Sequence, residues 1–437
     1  MNLISHKTES INGEIICPGD KSISQRILII GSLLNCDMQL DGFLNAEDPI
    51  STMEALNEIG ASISIRQNYV FLNKREASFK NPVNDLNLGN SGTGSRLLLG
   101  LISGLGIRCN LTGDKSLSKR PMNRIVEPLK KMGAEIKSND GKLPIITLGS
   151  NITNNFEYKM PIASAQVKSS LLLAALASKN NIKIIESKNT RDHTERMIEY
   201  FGGGISYGDC LNQGVISLHN CELSSKKSYN IPGDFSSAAF VIVASIISKN
   251  SEVLIKNVGL NKTRNGLLKI LLLMGADIKV KNKRLSSNEE VGDILVKSSN
   301  LKGIDVPEEI IPNIIDEIPI LSIAASFAKG ETTITNAAEL RVKESDRLNG
   351  ISEGLKKLQI VHQTFEDGIS IKGTSKKIYS DSPIESFGDH RIAMSFLISG
   401  IRSKNSVSVL NCKNIDTSFP NFKNVMNSLG MKIDAKN

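Results

Sequence analysis

Apolar and polar positions follow a pattern that recurs six times along the chain. One signature is an amphipathic helical stretch that ends at glycine and runs into a strand. It reads "LNEIGASISI" at Gly60, "LKKMGAEIKS" at Gly133, "IEYFGGGISY" near Gly203 and "LLLMGADIKV" at Gly275. "LKKLQIVHQT" near Gln359 and "MNSLGMKIDA" at Gly430 complete the set. Successive copies lie roughly 70 to 85 residues apart. The glycine suits the position just past a helix end, where φ is positive. A second signature precedes each copy: a polar cluster leading into a nearly all-apolar helix. The six are "PGDKSISQRILIIGSLL", "NSGTGSRLLLGLISG", "SAQVKSSLLLAALAS", "PGDFSSAAFVIVASII", "DEIPILSIAASFAKG" and "GDHRIAMSFLISGI". Each is followed by a β-rich stretch such as "NIKIIES" or "SEVLIKNV". The predicted unit is therefore an apolar helix, a strand, an amphipathic helix, glycine, then one or two strands. The apolar helices should be buried and the amphipathic ones half exposed. "PGD" at Pro232 repeats "PGD" at Pro18, which divides the six units into two α/β halves of three near Asn230.

Composition narrows the function class. The 437 residues are 40% apolar and 22% charged, as expected of globular domains. The start, "MNLISHKTES", has no basic segment followed by an apolar one, so no signal peptide is expected. No apolar run reaches the roughly 18 residues of a membrane span. The six cysteines are scattered and are read as reduced, mostly buried thiols of a cytoplasmic protein. The five histidines are scattered too, which argues against zinc. The net charge of +8 raises nucleic-acid binding. However, it is spread along the chain, aromatics are 4%, and there is no Trp to stack on bases. A small, multiply anionic ligand would draw on the same field.

The polar clusters all fall at starts of apolar helices, where free N–H groups and the positive dipole end favour anions. If both halves turned these ends toward one cleft, that cleft would trap phosphate and carboxylate. "PGDKSISQR" supplies Lys21, Ser22 and Arg26, with Asp20 or Ser22 as an ordinary cap on the plainer reading. "GNSGTGSR", Gly89 to Arg96, is a Gly- and hydroxyl-rich turn whose backbone can approach a phosphate, with Ser91 or Thr93 as the alternative cap. It lacks the Gly-Lys-Ser/Thr ending of a P-loop. Arg120 precedes Pro121 and should be extended. "SAQVKSS" offers Ser164, Gln166 and Lys168, with a structural role as the plainer reading of the motif taken alone. Asp316 and Glu317 open a further apolar run, either as first-turn acids or with one serving as a general base. Asp389, His390 and Arg391 open the last helix, and no Ser lies in a nucleophile-elbow sequence. In "LRVKESDRLNG", Leu340 to Gly350, five charges crowd together. The stripe Leu348, Ile351, Leu355 and Leu358 predicts a helix from about Ser345, so the charges gather at its mouth instead of spreading along one face.

Taken together, "GDKSISQR", "GNSGTGSR", "KRPM", "SAQVKS", "TRDHTERM", "PGDFSSAAF", "DEIP", "LRVKESDRL" and "DHRIAMSF" resemble, in order, the motifs of the 5-enolpyruvylshikimate-3-phosphate synthases, also called 3-phosphoshikimate 1-carboxyvinyltransferases. The resemblance spans essentially the whole chain. It implies two similar domains of three βαβαββ units each, with buried helices in an inside-out α/β barrel arrangement, joined by a hinge. The first domain would be 20–229, and 1–19 would return to join 230–437 in the second. It implies transfer of the enolpyruvyl group of phosphoenolpyruvate to the 5-hydroxyl of shikimate 3-phosphate, releasing phosphate, on the route to chorismate and the aromatic amino acids. No metal or organic cofactor, nucleic acid or membrane is implied, and a cytoplasmic monomer is expected. Lys21, Ser22, Arg26, Ser164, Ala165, Gln166, Asp316 and Lys343 would hold shikimate 3-phosphate. Lys21, Asn90, Gly92, Arg120, Gln166, Arg347 and Arg391 would surround phosphoenolpyruvate. Glu344 would deliver a proton to the methylene carbon and Asp316 would take one from the hydroxyl, with Lys21 assisting. Two departures mark a divergent subclass. Thr417 stands where many members have Lys, leaving Lys413 or Lys423 as substitutes, and Glu339 stands where some have Asn. Arg191 in "TRDHTERM" is a candidate to compensate. Gly92 leaves room for phosphonate mimics such as glyphosate. The sister enzyme acting on UDP-N-acetylglucosamine carries a reactive loop Cys, whereas Cys109 here reads as a strand. A non-catalytic nucleic-acid-binding protein is the other alternative. Arg341 and Asp346 receive only a structural reading.

Overall fold

The computed structural model describes residues 1–67, 69–210 and 213–436, with the side chains of Cys210 and Lys436 outside that set. By contact the chain forms two units. One comprises Gly19–Ile231 with Leu285–Glu289, and the other Met1–Pro18, Pro232–Arg284 and Glu290–Asn437.

Among the described residues, strands form six small sheets, five of four strands and one of three, with no closed barrel. Their plan recurs. Leu86–Asn87 runs parallel to Cys109–Thr112, which pairs antiparallel with Lys142–Ser150, which in turn pairs antiparallel with Ala134–Asn139. In the three-stranded sheet, isolated parallel bridges Lys302↔Lys329 and Asp305↔Thr333 stand in for the missing strand. The N-terminal strand Asn2–His6 lies between Val407–Leu410 and the C-terminal strand, antiparallel to both. Asn12–Ile16 runs parallel to Glu252–Gly259.

Each unit encloses its own core. The apolar helices Lys21–Leu34, Gly92–Leu105 and Ala165–Ser178 contribute to one. Helices Phe235–Ile247, Ile318–Ser326 and His390–Ser399 contribute to the other. Phe235–Ile247 is buried along its whole length, as a helix without a polar face must be. The amphipathic helices end where the repeated glycine turns the chain, with φ of 101° at Gly60, 109° at Gly133, 92° at Gly275 and 104° at Gly430. In the third copy Gly202, not Gly203, takes the positive φ, and in the fifth Gln359 does so at 58°.

Candidate active site

Five of the six polar clusters at the buried helices are first of all caps. Asp20, Ser91, Ser164, Asp234 and Asp389 each accept a hydrogen bond from a backbone N–H in the first turn of their helix. Glu317, at the start of the remaining helix, makes no such cap. Each Asp or Ser therefore satisfies its own helix end and fixes the direction in which the next side chains leave it.

Within the unit built on Gly19–Ile231, hydrogen bonds join the starts of three buried helices. Lys21 Nζ lies 3.0 Å from Asp48 Oδ2. Gln25 Nε2 donates to Ser91 Oγ at 2.5 Å and to Thr52 Oγ1 at 3.1 Å, linking the first helix to the Gly-rich turn. Asn90 bridges Arg120 and Asp114: its Oδ1 accepts from Arg120 Nη2 at 2.6 Å, and its Nδ2 donates to Asp114 Oδ2 at 2.7 Å. Arg120 is extended, at φ −75° and ψ 139°, as its place before Pro121 requires. Gly92 begins its helix so close to two guanidinium groups that a Cβ there would stand 2.9 Å from Arg120 Nη1 and from Arg96 Nη1. Gln166 Nε2 reaches Thr93 Oγ1 at 3.3 Å, tying in the third helix, beside Ser164 and Ala165. Arg26, 3% exposed, donates to Ser22 O, Thr194 Oγ1 and Ser169 Oγ.

Lys168 is not a helix-mouth cation. It is 1% exposed and pairs with Glu195 at 2.7 Å and Glu186 at 3.3 Å, both also buried. Burial opposes its charge, but the two carboxylates outweigh that and raise its pKa. Burial raises the Glu195 carboxyl despite Lys168. Arg191 lies half-buried in the segment before helix His193–Tyr200.

The other unit repeats the arrangement with more charge. The motif "LRVKESDRLNG" forms a turn and then helix Arg347–Lys357, with Asp346 as the cap accepting from Asn349 N–H. Arg341 braces that cap at 3.0 Å and donates to the Glu366 and Phe365 carbonyls, so both residues have structural work. Arg347, 1% exposed, donates from Nε to Asp389 Oδ2 at 2.8 Å, from Nη1 to Asp316 Oδ1 at 3.2 Å and from Nη2 to Glu344 Oε2 at 2.5 Å. Burial alone would weaken its charge, but Asp389, Glu344 and Asp316 hold its pKa well above the ordinary arginine value. Lys343 Nζ lies 3.7 Å from Asp316 Oδ1 and 3.1 Å from Glu339 Oε1. Arg391 Nη1 donates to Asp316 O at 2.9 Å and Glu317 Oε1 at 3.3 Å. Arg264 Nη2 reaches Ser236 Oγ at 2.7 Å, and that hydroxyl donates to Glu317.

Asp316, Lys343, Glu344, Arg347 and Arg391 thus meet in one unit; in the other, Asn90, Gly92 and Arg120 meet, while Lys21 pairs with Asp48. Sequence reasoning missed the supporting set: Asp48, Arg96, Asp114, Arg264 and Ser236. Asp48 left one trace, an acid within "LNAEDP" where helix Glu47–Glu58 begins. Thr417 Oγ1 donates to Asn414 O at 2.7 Å and is buried; Lys413 is exposed and Lys423 half-buried.

Residues 5–426 match the family model for EPSP synthase (3-phosphoshikimate 1-carboxyvinyltransferase). The chain belongs to the EPSP synthase family. A 3-phosphoshikimate 1-carboxyvinyltransferase of Petrotoga mobilis is 48% identical over 97% of this chain and 98% of its own length. One from Legionella pneumophila strain Corby is 45% identical over 99% of each. A solved EPSP synthase from Acinetobacter baumannii superposes with a TM-score of 0.86 at 39% identity, covering all of both chains. Family membership agrees with the two-fold, three-unit plan. Cys109 begins a strand, and burial raises its thiol pKa despite a hydrogen bond with Thr147, which suits a packed thiol better than a loop nucleophile. Cys17 and Cys412 are buried and Cys36, Cys109 and Cys221 only partly so, fewer than expected; all five are unpaired thiols. Among the described residues no His, Cys, Asp and Glu cluster is arranged to hold a metal, and no helix is long and apolar enough to cross a membrane.

Proposed function

We propose that this chain joins phosphoenolpyruvate to the 5-hydroxyl of shikimate 3-phosphate and releases phosphate, using the residues brought together at the helix starts. The observation that carries the reading is the Asp316–Lys343–Glu344–Arg347 group, in which two carboxylates and two cations lie within 3.7 Å contacts of one another. Addition–elimination needs such a set. Asp316 takes the proton of the 5-hydroxyl as its oxygen attacks C2 of phosphoenolpyruvate, and Glu344 gives a proton to the methylene carbon. The adduct then loses a proton from its methyl group, the C2–O bond to phosphate breaks, and the enol ether remains. Lys343 binds the hydroxyls beside Asp316. Arg347 and Arg391 hold phosphoenolpyruvate from this unit.

In the other unit, Lys21, Ser22, Arg26, Ser164, Ala165 and Gln166 hold shikimate 3-phosphate. Asn90, Gly92, Arg120 and Gln166 hold phosphoenolpyruvate. Lys21 serves both ligands and assists proton transfer. Oriented cations and N–H groups offset the repulsion between two anions held side by side. Arg191 compensates for the cation absent at Thr417. A cytoplasmic monomer is the matching setting. The test is phosphate release measured with both substrates and with each alone. Release only when both are present is expected. Release from phosphoenolpyruvate alone, or turnover with UDP-N-acetylglucosamine in place of shikimate 3-phosphate, would remove the proposal.

Gly92 yields a separate prediction. A Cβ at Gly92 would stand 2.9 Å from the guanidinium ends of Arg96 and Arg120, so an added methyl displaces the tips of these two side chains and no backbone. Gly92→Ala should therefore fold normally. It should weaken glyphosate, longer than phosphoenolpyruvate, by about 10- to 200-fold relative to the substrate. Inhibition constants and the KM for phosphoenolpyruvate, measured together, check this. An unchanged ratio would mean that glyphosate does not sit against Gly92.

A further inference from the structure

Two of the three groups that hold Arg26, the Thr194 and Ser169 hydroxyls, have no role assigned in the reaction. All three of its guanidinium nitrogens donate: Nη1 to Ser22 O at 3.0 Å, Nη2 to Ser169 Oγ at 3.1 Å and Nε to Thr194 Oγ1 at 2.8 Å. A planar fork engaged at every nitrogen has its orientation fixed. Ser169 belongs to helix Ala165–Ser178 and Thr194 to helix His193–Tyr200, and their hydroxyls are 2.7 Å apart. A neighbouring residue on each helix completes a second link: Lys168 Nζ lies 2.7 Å from Glu195 Oε1, both essentially inaccessible to water. Lys168 also reaches Glu186, at the end of strand Ile182–Glu186, and Glu186 accepts from Thr190 Oγ1 at 2.8 Å. Two staples, one ionic and one made of hydroxyls, therefore lock the two helices in register where Arg26 docks.

We propose that Thr194 and Ser169 are positioning residues for Arg26, and that the buried Lys168–Glu195 pair keeps their hydroxyls in register, so that this cluster sets the affinity for shikimate 3-phosphate. The proposal rests on the reading that Arg26 binds that substrate. It accounts for the second half of "TRDHTERM", which no substrate contact uses. It also gives the ion pair a purpose beyond stability, since buried pairs contribute little net stability but fix geometry, and losing one partner is costly.

Thr194→Val keeps the shape and removes the acceptor. Titration calorimetry with shikimate 3-phosphate alone should show Kd raised about tenfold, in line with the loss of a hydrogen bond to a charged group. The KM for phosphoenolpyruvate should stay within about twofold, well inside the tenfold that 1.4 kcal/mol represents. Thr194→Ser, which keeps the hydroxyl, should restore binding. Ser169→Ala should shift Kd in the same direction and carries the test if Thr194→Val does not fold. Arg26→Lys separates the two levels. If it binds shikimate 3-phosphate as tightly as wild type, the substrate assignment of Arg26 fails and the proposal with it. If Arg26→Lys loses binding while Thr194→Val and Ser169→Ala keep wild-type Kd, the positioning role alone is overturned. An equal loss on the phosphoenolpyruvate side, or a Thr194→Ser no better than Thr194→Val, overturns it as well.

Discussion

Replacing Arg347 with methionine should cost about 3–5 kcal/mol of stability and also lower kcat/KM by about 10²–10³-fold. The stability loss follows from what the side chain leaves behind. Asp389 is fully buried, and Arg347 Nε is 2.8 Å from it. Asp316 and Glu344, 14% and 25% exposed, lose the same guanidinium. With Asp389 at zero exposure, solvent screening cannot compensate, and a buried carboxylate without its cation is among the costlier single defects. Arg347→Lys keeps the charge but only one nitrogen, so it cannot serve three carboxylates on separate elements, and it should fall between wild type and methionine. Urea-unfolding midpoints report the stability half and steady-state kinetics the other. Methionine with wild-type stability would mean that Asp389 finds another cation and that the network does not depend on Arg347.

That network is also where local sequence pattern stops being informative. Periodicity predicted the buried helices because burial on all sides demands apolar residues throughout, as in Phe235–Ile247. The recurring glycine marked helix ends because a positive φ costs least there, and at Gln359 the framework imposed that conformation on a side chain. The mouth of helix Arg347–Lys357 was legible from its apolar stripe, whereas the capping role of Asp346 came only with the fold. Nothing local tells that Asp389 holds Arg347 from 42 residues away, or that Ser236 donates to Glu317 across 81. A buried charge leaves no periodic trace, because its partner is chosen by the fold. Lys168 shows the same limit: at a helix start the sequence allows a structural or a ligand-facing cation, and only the fold supplies Glu186 and Glu195. The three-stranded sheet shows another, since residues 302–305 pair through two bridges too sparse to signal a strand.

Glu344→Gln should lower kcat by about 10²–10⁴-fold, the usual contribution of a positioned acid or base, while leaving shikimate 3-phosphate binding intact. The carboxyl lies in the turn before helix Arg347–Lys357 and is partly open to solvent. Its Oε2 accepts from Arg347 Nη2 at 2.5 Å, an interaction that glutamine can keep through its amide oxygen. The substitution therefore preserves shape and removes the acidic proton. If Glu344 gives its proton to the methylene carbon, kcat and kcat/KM should fall together, because the lost interaction exists only in the transition state. A displaced Arg347 would instead raise the KM for phosphoenolpyruvate. A second measurement isolates the step itself. In heavy water, reversible protonation at that carbon should exchange the methylene hydrogens of phosphoenolpyruvate for deuterium when shikimate 3-phosphate is present. Proton NMR should show this exchange in the wild-type protein and its loss in Glu344→Gln. Exchange at an undiminished rate in the variant would place the carbon acid elsewhere and leave Glu344 only its contact with Arg347.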